Sequence, residues 1–371
     1  MSTKVLPKTK ERLNSLDTLR GFDMLWIIGG GALIEALAKV TEWNWMEALA
    51  NQMHHVSWEG FRFFDLIFPL FMFISGVAIP FALTSRLEKG TSKTSLHKKV
   101  FIRMILLILL GFIYNGALKN GFSNMRYPSV LSQIGIAYFF AALIVINTTS
   151  LKARIFWLLG IFAGIATLQL FVNVPGFGAG VFTPEGSVNA WIDQRFLPGR
   201  LIYKTYDPEG ILCIVSAISI TLMGTFAGLV LRNKNFTANR KTIILIIVGA
   251  SLVLIALLLS PVYPIIKKIW TVPFNILTAG ISFLLLAIFY FIIDVKKWNN
   301  WILFFKVIGL NSITIYLGMR IIDFYHSSEF LLGWIANPLG NFSDVIIVSG
   351  VLAIEWILLF YLYKNKIFLK V

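Results

Sequence analysis

About ten stretches of this 371-residue chain are apolar and long enough to cross a hydrocarbon layer of roughly 30 Å at 1.5 Å rise per helical residue. No other feature constrains its fold as much. The stretches run approximately over 20–40, 61–84, 101–118, 129–147, 154–172, 209–231, 242–261, 272–293, 301–324 and 343–363. A backbone in lipid must satisfy its own N–H and C=O groups, which leaves only helices and closed barrels. Barrel-type alternation is absent. The expected class is therefore all-α, a polytopic membrane bundle of about 10 transmembrane helices forming a single domain over 1–371. Composition agrees: with 57% hydrophobic and 14% charged residues, the chain has too little polar surface to cover a water-soluble core of its size.

The net charge of +15, from 33 Lys and Arg against 18 Asp and Glu, would point to nucleic acid in a soluble protein. Here the cations sit in short loops between apolar spans, where they act as topology determinants, and nucleic acid is not an expected partner. With the N-terminus in the cytoplasm, 23 of the 33 cations fall on cytoplasmic segments, including Lys4, Lys8, Lys10, Arg12 and Lys370. That bias predicts both termini inside and an even number of crossings. The first apolar run has no A-x-A-like cleavage site and reads as a retained helix. Cys213 is the single cysteine, which excludes an intrachain disulfide and a cysteine-based zinc site.

Two external loops are long. The first, about 41–60, carries Glu42, Glu47, Glu59, the His54–His55 pair and three tryptophans. The second, about 173–208, is rich in Gly, Pro and aromatic residues and holds Asp193, Arg195, Arg200 and Asp207. Loops of this length often carry function, and together these two are placed to roof a site.

Ionisable residues inside apolar spans are costly and mark candidate sites. In SLDTLRGFDM (15–24), Asp17, Arg20 and Asp23 share roughly one helix face. An interfacial cap with an ion pair and a binding or gating role both fit Arg20 and Asp23. In HHVSWEGFRFFDLIFP (54–69), a histidine at the mouth of the second span stands above Asp65, expected about a turn and a half inside the helix. A general base with an orienting carboxylate is one reading; an interfacial histidine beside a structural Arg62–Asp65 pair is the other. No third ligand accompanies the His pair, so no metal is expected. The run Tyr206-Asp207-Pro208-Glu209-Gly210 predicts a helix start with Asp207 as cap, Pro208 at the first position and Glu209 in the first turn. Gly29-Gly30-Gly31 lies mid-span and suits close helix packing.

These stretches, with LSQIGIAYF (131–139), YDPEGIL (206–212), KKIWTVPFNILTAG (267–280) and GLNSITIYL (309–317), resemble the transmembrane acyltransferases related to heparan-α-glucosaminide N-acetyltransferase. The likeness is to a short, bacterial-type member without the large luminal N-terminal domain of the animal enzymes. It implies a multi-pass protein of the bacterial inner membrane that moves an acetyl group from cytoplasmic acetyl-CoA to an amine, commonly of glucosamine, on the opposite side. The family pattern H-x-x-W-x-G-x-x-x-x-D implies His55, not His54, as catalytic and Asp65 as its partner, with His55 acting either as base or as acetyl carrier. Arg20, Arg103, Lys98 and Lys99 are the expected CoA contacts, and Trp58, Glu59, Asp207 and Glu209 the expected acceptor contacts. Glu59 stands where animal members have asparagine, and Ser132 where an arginine often precedes the glutamine. The animal relatives also imply a homodimer. A secondary transporter of amino sugars fits the composition as well, and acyl transfer to a hydroxyl, by an O-acyltransferase acting on an envelope polysaccharide, is the other alternative.

Overall fold

The computed structural model describes residues 13–122 and 125–369. Lys4, Lys8, Lys10, Arg12 and Lys370, which enter the charge bias, lie outside the described residues. The helices are α1 (Asn14–Thr41), α2 (Asn44–Gln52), α3 (Phe63–Leu87), α4 (Lys93–Tyr114), α5 (Val130–Asn147), α6 (Leu151–Phe171) and α7 (Val188–Phe196). They continue with α8 (Ile211–Arg232), α9 (Ala238–Leu259), α10 (Val272–Val295), α11 (Ile302–Leu310), α12 (Ser312–Ile321), α13 (Phe324–Ala336) and α14 (Ser343–Lys364). Among the described residues there are only two isolated β-bridges, so the fold is an all-α membrane bundle.

Among the described residues, eight helical segments are long and apolar enough to span, and nine if the α11–α12 pair, bent by 69°, counts as one broken span. Ten were expected. The difference is the stretch 101–118, which is the apolar end of α4: every 18-residue window of that helix holds Lys98, Lys99 and Arg103. The last segment folds back on itself at Gly340 (φ +55°), and Ser328 Oγ of α13 donates to the Ile347 carbonyl of α14 at 2.7 Å.

Helices α3 and α8 are the most enclosed and form the centre of the bundle. They touch backbone to backbone, because a Cβ on Gly76 would overlap the Thr221 carbonyl and one on Gly224 would overlap the Phe73 carbonyl. Small residues allow that approach where lipid tails supply no hydrophobic drive between helices. Gly21 of α1 and Gly309 of α11 meet in the same way. In the glycine run, Gly29 has φ +142° inside a π-turn at Trp26–Gly30, so it bends α1 as well as packing near Leu352. Helices α6 and α9 remain largely uncovered by the rest of the chain and carry exposed Phe156, Ile247 and Leu258, as a lipid-facing surface does. The two central helices begin beside the two long loops, so both loops converge on the same end of the bundle.

Candidate active site

The site starts where α3 starts. Gly60 takes φ +113°, its N–H donates to the Ile265 carbonyl at 2.9 Å, and Arg62 is extended, so the helix opens at Phe63. Asp65 is thus the third residue of α3, in its first turn and not a turn and a half inside. Its carboxylate caps the helix, Oδ2 accepting the backbone N–H of Arg62 at 3.0 Å and of Val56 at 3.4 Å. The Arg62 guanidinium is not among its partners. Oδ1 lies 2.8 Å from His55 Nδ1. An ionised carboxylate can only accept, so Nδ1 carries a proton, and in the neutral ring Nε2 is the nitrogen with the lone pair. Asp65 is fully buried, while the His55 side chain is 46% exposed and packs at 4.9 Å on the Phe64 ring. His54 turns elsewhere, 3.6 Å from Glu35.

A third group completes the cluster. Lys267 Nζ lies 3.4 Å from Asp65 Oδ1, 3.0 Å from His55 Nδ1 and 3.3 Å from Nε2. The ammonium is thus within hydrogen-bond reach of both ring nitrogens. Burial pushes the Lys267 ammonium below the ordinary lysine range, opposed by the charges of Asp65 and Glu209. The neighbouring Lys268 donates to the Ser57 carbonyl at 2.6 Å and ties the same turn to the first loop.

His55, Lys267 and Glu209 open on one cavity of about 350 Å³. Its other walls are mainly apolar: Met24 and Ile27 of α1, Phe64, Ile67, Phe68 and Phe71 of α3, Val130, Leu131 and Ile134 of α5, with Tyr114, Ser312, Ile313 and Tyr316. A neutral imidazole, a cation and a carboxylate at the head of an apolar chamber can move a proton and hold opposite charges at separate points.

The 206–210 segment departs from its expected form. Helix α8 begins at Ile211 with Gly210 before it. Its first N–H is met from α7, where the Asp193 carboxylate accepts from Ile211 at 3.1 Å and also from the Asp207 N–H at 3.1 Å. Asp207 Oδ1 accepts the Glu209 N–H at 3.0 Å, a local bond that falls before the helix, and the same carboxylate is paired with Arg126, 2.5 Å from Nη2 and 2.7 Å from Nε; Arg126 also pairs with Glu209. The two carboxylates push the Arg126 guanidinium above its usual range, and burial pushes Glu209 up against the pull of Arg126. Burial also lifts the Asp193 carboxyl to about 7.

Of the expected acceptor residues, Glu209 therefore lines the cavity, Asp207 is buried behind it, and Glu59 is exposed outside it. Trp58 Nε1 donates to the Phe182 carbonyl at 2.6 Å and the indole packs on Tyr206 at 5.2 Å, joining the two loops as a roof. Ser132 forms the first-turn cap of α5 with Ser129, and Gln133 donates to the Cys213 carbonyl at 3.0 Å. The expected CoA contacts stand apart from His55. Arg20 lies 3.5 Å from Asp17, the Arg103 guanidinium lies 4.1 Å from the centre of the Tyr138 ring, and Lys98 and Lys99 are near the start of α4. Asp23 is fully buried, and neither of its oxygens has a hydrogen-bond partner among the described residues. Lys267 and Arg126 had no assigned role in the sequence. Lys267 does open one of the matching blocks, KKIWTVPFNILTAG, which was the signal available.

Comparison with known proteins adds an independent line. Residues 12–118 match a family described as a domain of unknown function, DUF5009. The whole chain is 28% identical to the heparan-alpha-glucosaminide N-acetyltransferase of Mus musculus, covering 63% of that protein. Over 97% of its length it is 27% identical to the Homo sapiens protein of the same name, covering 60% of it. The chain thus spans about three fifths of the length of these curated relatives. Along nearly its full length, the chain is similar in sequence to the heparan-alpha-glucosaminide N-acetyltransferases of these two organisms.

Proposed function

We propose that the protein is a membrane acetyltransferase that moves an acetyl group from acetyl-CoA to the amine of a glucosamine-type sugar. The observation that carries this reading is the His55–Asp65 pair, 2.8 Å apart, opening into an apolar-walled cavity. The activity for which the two relatives are named supports it.

An amine acceptor is protonated near neutral pH and must lose a proton before it can attack a thioester. His55 Nε2, the acceptor nitrogen of the neutral ring, takes that proton, and Asp65 holds the tautomer and balances the imidazolium. Nε2 can also attack the thioester itself and carry the acetyl group as an acetyl-imidazole. Glu209, at the cavity wall, is the anion that receives the acceptor's ammonium, while the apolar walls take the acetyl and pantetheine portions.

The donor's phosphates belong at the other end of α4. Lys98 and Lys99 lie in its first turns and Tyr114, a cavity residue, ends it, so the two ends are about 22 Å apart along the helix axis. Arg103 and Arg20 complete that cationic end. In this topology both termini and the CoA phosphates are cytoplasmic and the roofed face receives the sugar.

The deciding experiment uses purified protein in detergent with acetyl-CoA and glucosamine, reading thiol release and N-acetylglucosamine. Wild type releases thiol only with acceptor present, and His55→Ala lowers the rate at least 10³-fold. A transporter releases none, and unchanged turnover in His55→Ala rejects the site.

A further inference from the structure

The cavity head contains one group that the acetyl-transfer reading leaves without a task. Lys267 is brought to His55 from 212 residues away, through a turn held rigidly from several sides. Trp270 adopts a left-handed conformation (φ +49°), which a bulky residue keeps only when its surroundings enforce it. Thr271 Oγ1 accepts the Ile266 N–H at 3.1 Å, and Ser216 Oγ donates to the Trp270 carbonyl at 2.7 Å. The Ile269 carbonyl receives the side-chain amides of Gln169 at 2.8 Å and Asn189 at 3.2 Å. A lysine serving only as a surface topology charge would need none of this support. Its side chain is 14% exposed, and that opening is onto the cavity.

We propose that the Lys267 ammonium is the oxyanion-binding group of the acyl transfer, rather than only the counter-charge of Asp65. The inference rests on the acetyltransferase reading. When the amine attacks the thioester carbonyl, a C–N bond forms and the π pair moves onto oxygen. The ammonium's first proton has by then left His55 for solvent water, so the attacking amine's remaining proton passes to His55 Nε2, and the oxygen's new negative charge falls beside Nζ, 3.3 Å from Nε2. Collapse re-forms the C=O bond, breaks C–S and expels the thiolate, which takes the proton back from His55. A fixed cation in a low-dielectric chamber acts on charge that exists only in the transition state, so it raises turnover more than it tightens substrate binding.

The groups that face Nζ are His55, Asp65, Glu209 and the neighbouring Lys268. Burial lowers the ammonium's proton affinity, so its contribution is lost as pH rises, and is lost earlier than for an exposed lysine. Arginine at this position, which keeps its charge, moves the alkaline limb of kcat to higher pH.

The test compares Lys267→Met and Lys267→Arg with wild type under saturating glucosamine. Lys267→Met is expected to lose 10²–10³-fold in kcat with KM for acetyl-CoA within about threefold, and Lys267→Arg to retain most of kcat with the shifted alkaline limb. Both are checked for wild-type thermal unfolding. The same Met substitution is then made in Asp65→Asn, where the Asp65 charge is no longer there to balance, and the N-acetyl sugar is counted by end-point mass spectrometry. An equal fold-loss there supports oxyanion binding. A loss that disappears in that background, or a folded Lys267→Met that keeps more than a third of wild-type kcat, overturns it. Failure of the acetyltransferase reading itself shows separately, as absence of acceptor-dependent thiol release by wild type.

Discussion

Asp65→Asn is the sharpest perturbation of the site, because the structure dictates how the new amide must sit. Asp65 Oδ2 accepts two backbone N–H groups, from Arg62 and Val56, at the start of a membrane helix. Leaving those donors unmet costs about 1–3 kcal/mol each. The asparagine oxygen therefore takes the Oδ2 position, and its NH₂ turns to His55 Nδ1. An NH₂ cannot accept, so Nδ1 must present its lone pair and the imidazole proton moves to Nε2, the nitrogen that has to accept or attack. The imidazolium also loses its counter-charge. The equivalent carboxylate-to-amide exchange beside a catalytic histidine costs up to about 10⁴ in turnover, or about 5.5 kcal/mol at 1.36 kcal/mol per decade. A lower bound of about 10² follows from losing general base catalysis alone. Stability changes less: Lys267, 3.4 Å from Asp65, loses its nearest anion but keeps the field of Glu209, so about 1–3 kcal/mol is expected. The assay is thiol release from acetyl-CoA with glucosamine, alongside thermal unfolding of the same preparation. Turnover within threefold of wild type in a folded Asp65→Asn protein would refute the assignment of Asp65 as the orienting group.

Two further outcomes follow. The Asp193 carboxyl, lifted to about 7 by burial, keeps its proton in the folded chain over a range where the unfolded chain has released it. Stability therefore falls as pH rises from about 4 to about 7 and is lowest above that, by up to about 4 kcal/mol for a shift of this size; Asp193→Asn should flatten that slope in thermal unfolding, and an unchanged slope would contradict it. Arg103→Ala should raise KM for acetyl-CoA about tenfold with kcat within about twofold, since one charge-assisted phosphate contact contributes about 1.5–3 kcal/mol; an unchanged KM in steady-state kinetics would remove Arg103 from the donor site.

The spans were readable because lipid admits so few backbone solutions, and only α4 departs, its cations breaking the apolar window. His55 and Asp65 were readable because they lie ten residues apart in one continuous stretch, so a local pattern contains the whole dyad. Lys267 and Arg126 were not, since each reaches its partners only after the bundle closes. Arg126 is 81 residues from Asp207, in a segment without periodicity. The start of α8 was misplaced for the same reason: Asp207 does make the local bond of a cap, to the Glu209 N–H, but the helix opens only at Ile211, whose N–H is met by Asp193 from a different helix. The depth of Asp65 was overestimated because apolar residues run through Phe61 and Phe63 without marking the helix boundary, which Gly60 and the extended Arg62 set instead.

The central claim is that one imidazole under the roof receives an acetyl group from a donor presented at the opposite face. Sealed vesicles holding the protein in one orientation, with glucosamine inside and acetyl-CoA added only to the cytoplasmic face, test it directly. The account predicts N-acetylglucosamine accumulating in the lumen with thiol released outside, and neither with His55→Ala. Luminal product formed at the same rate by His55→Ala, or thiol release without any luminal product, would contradict it.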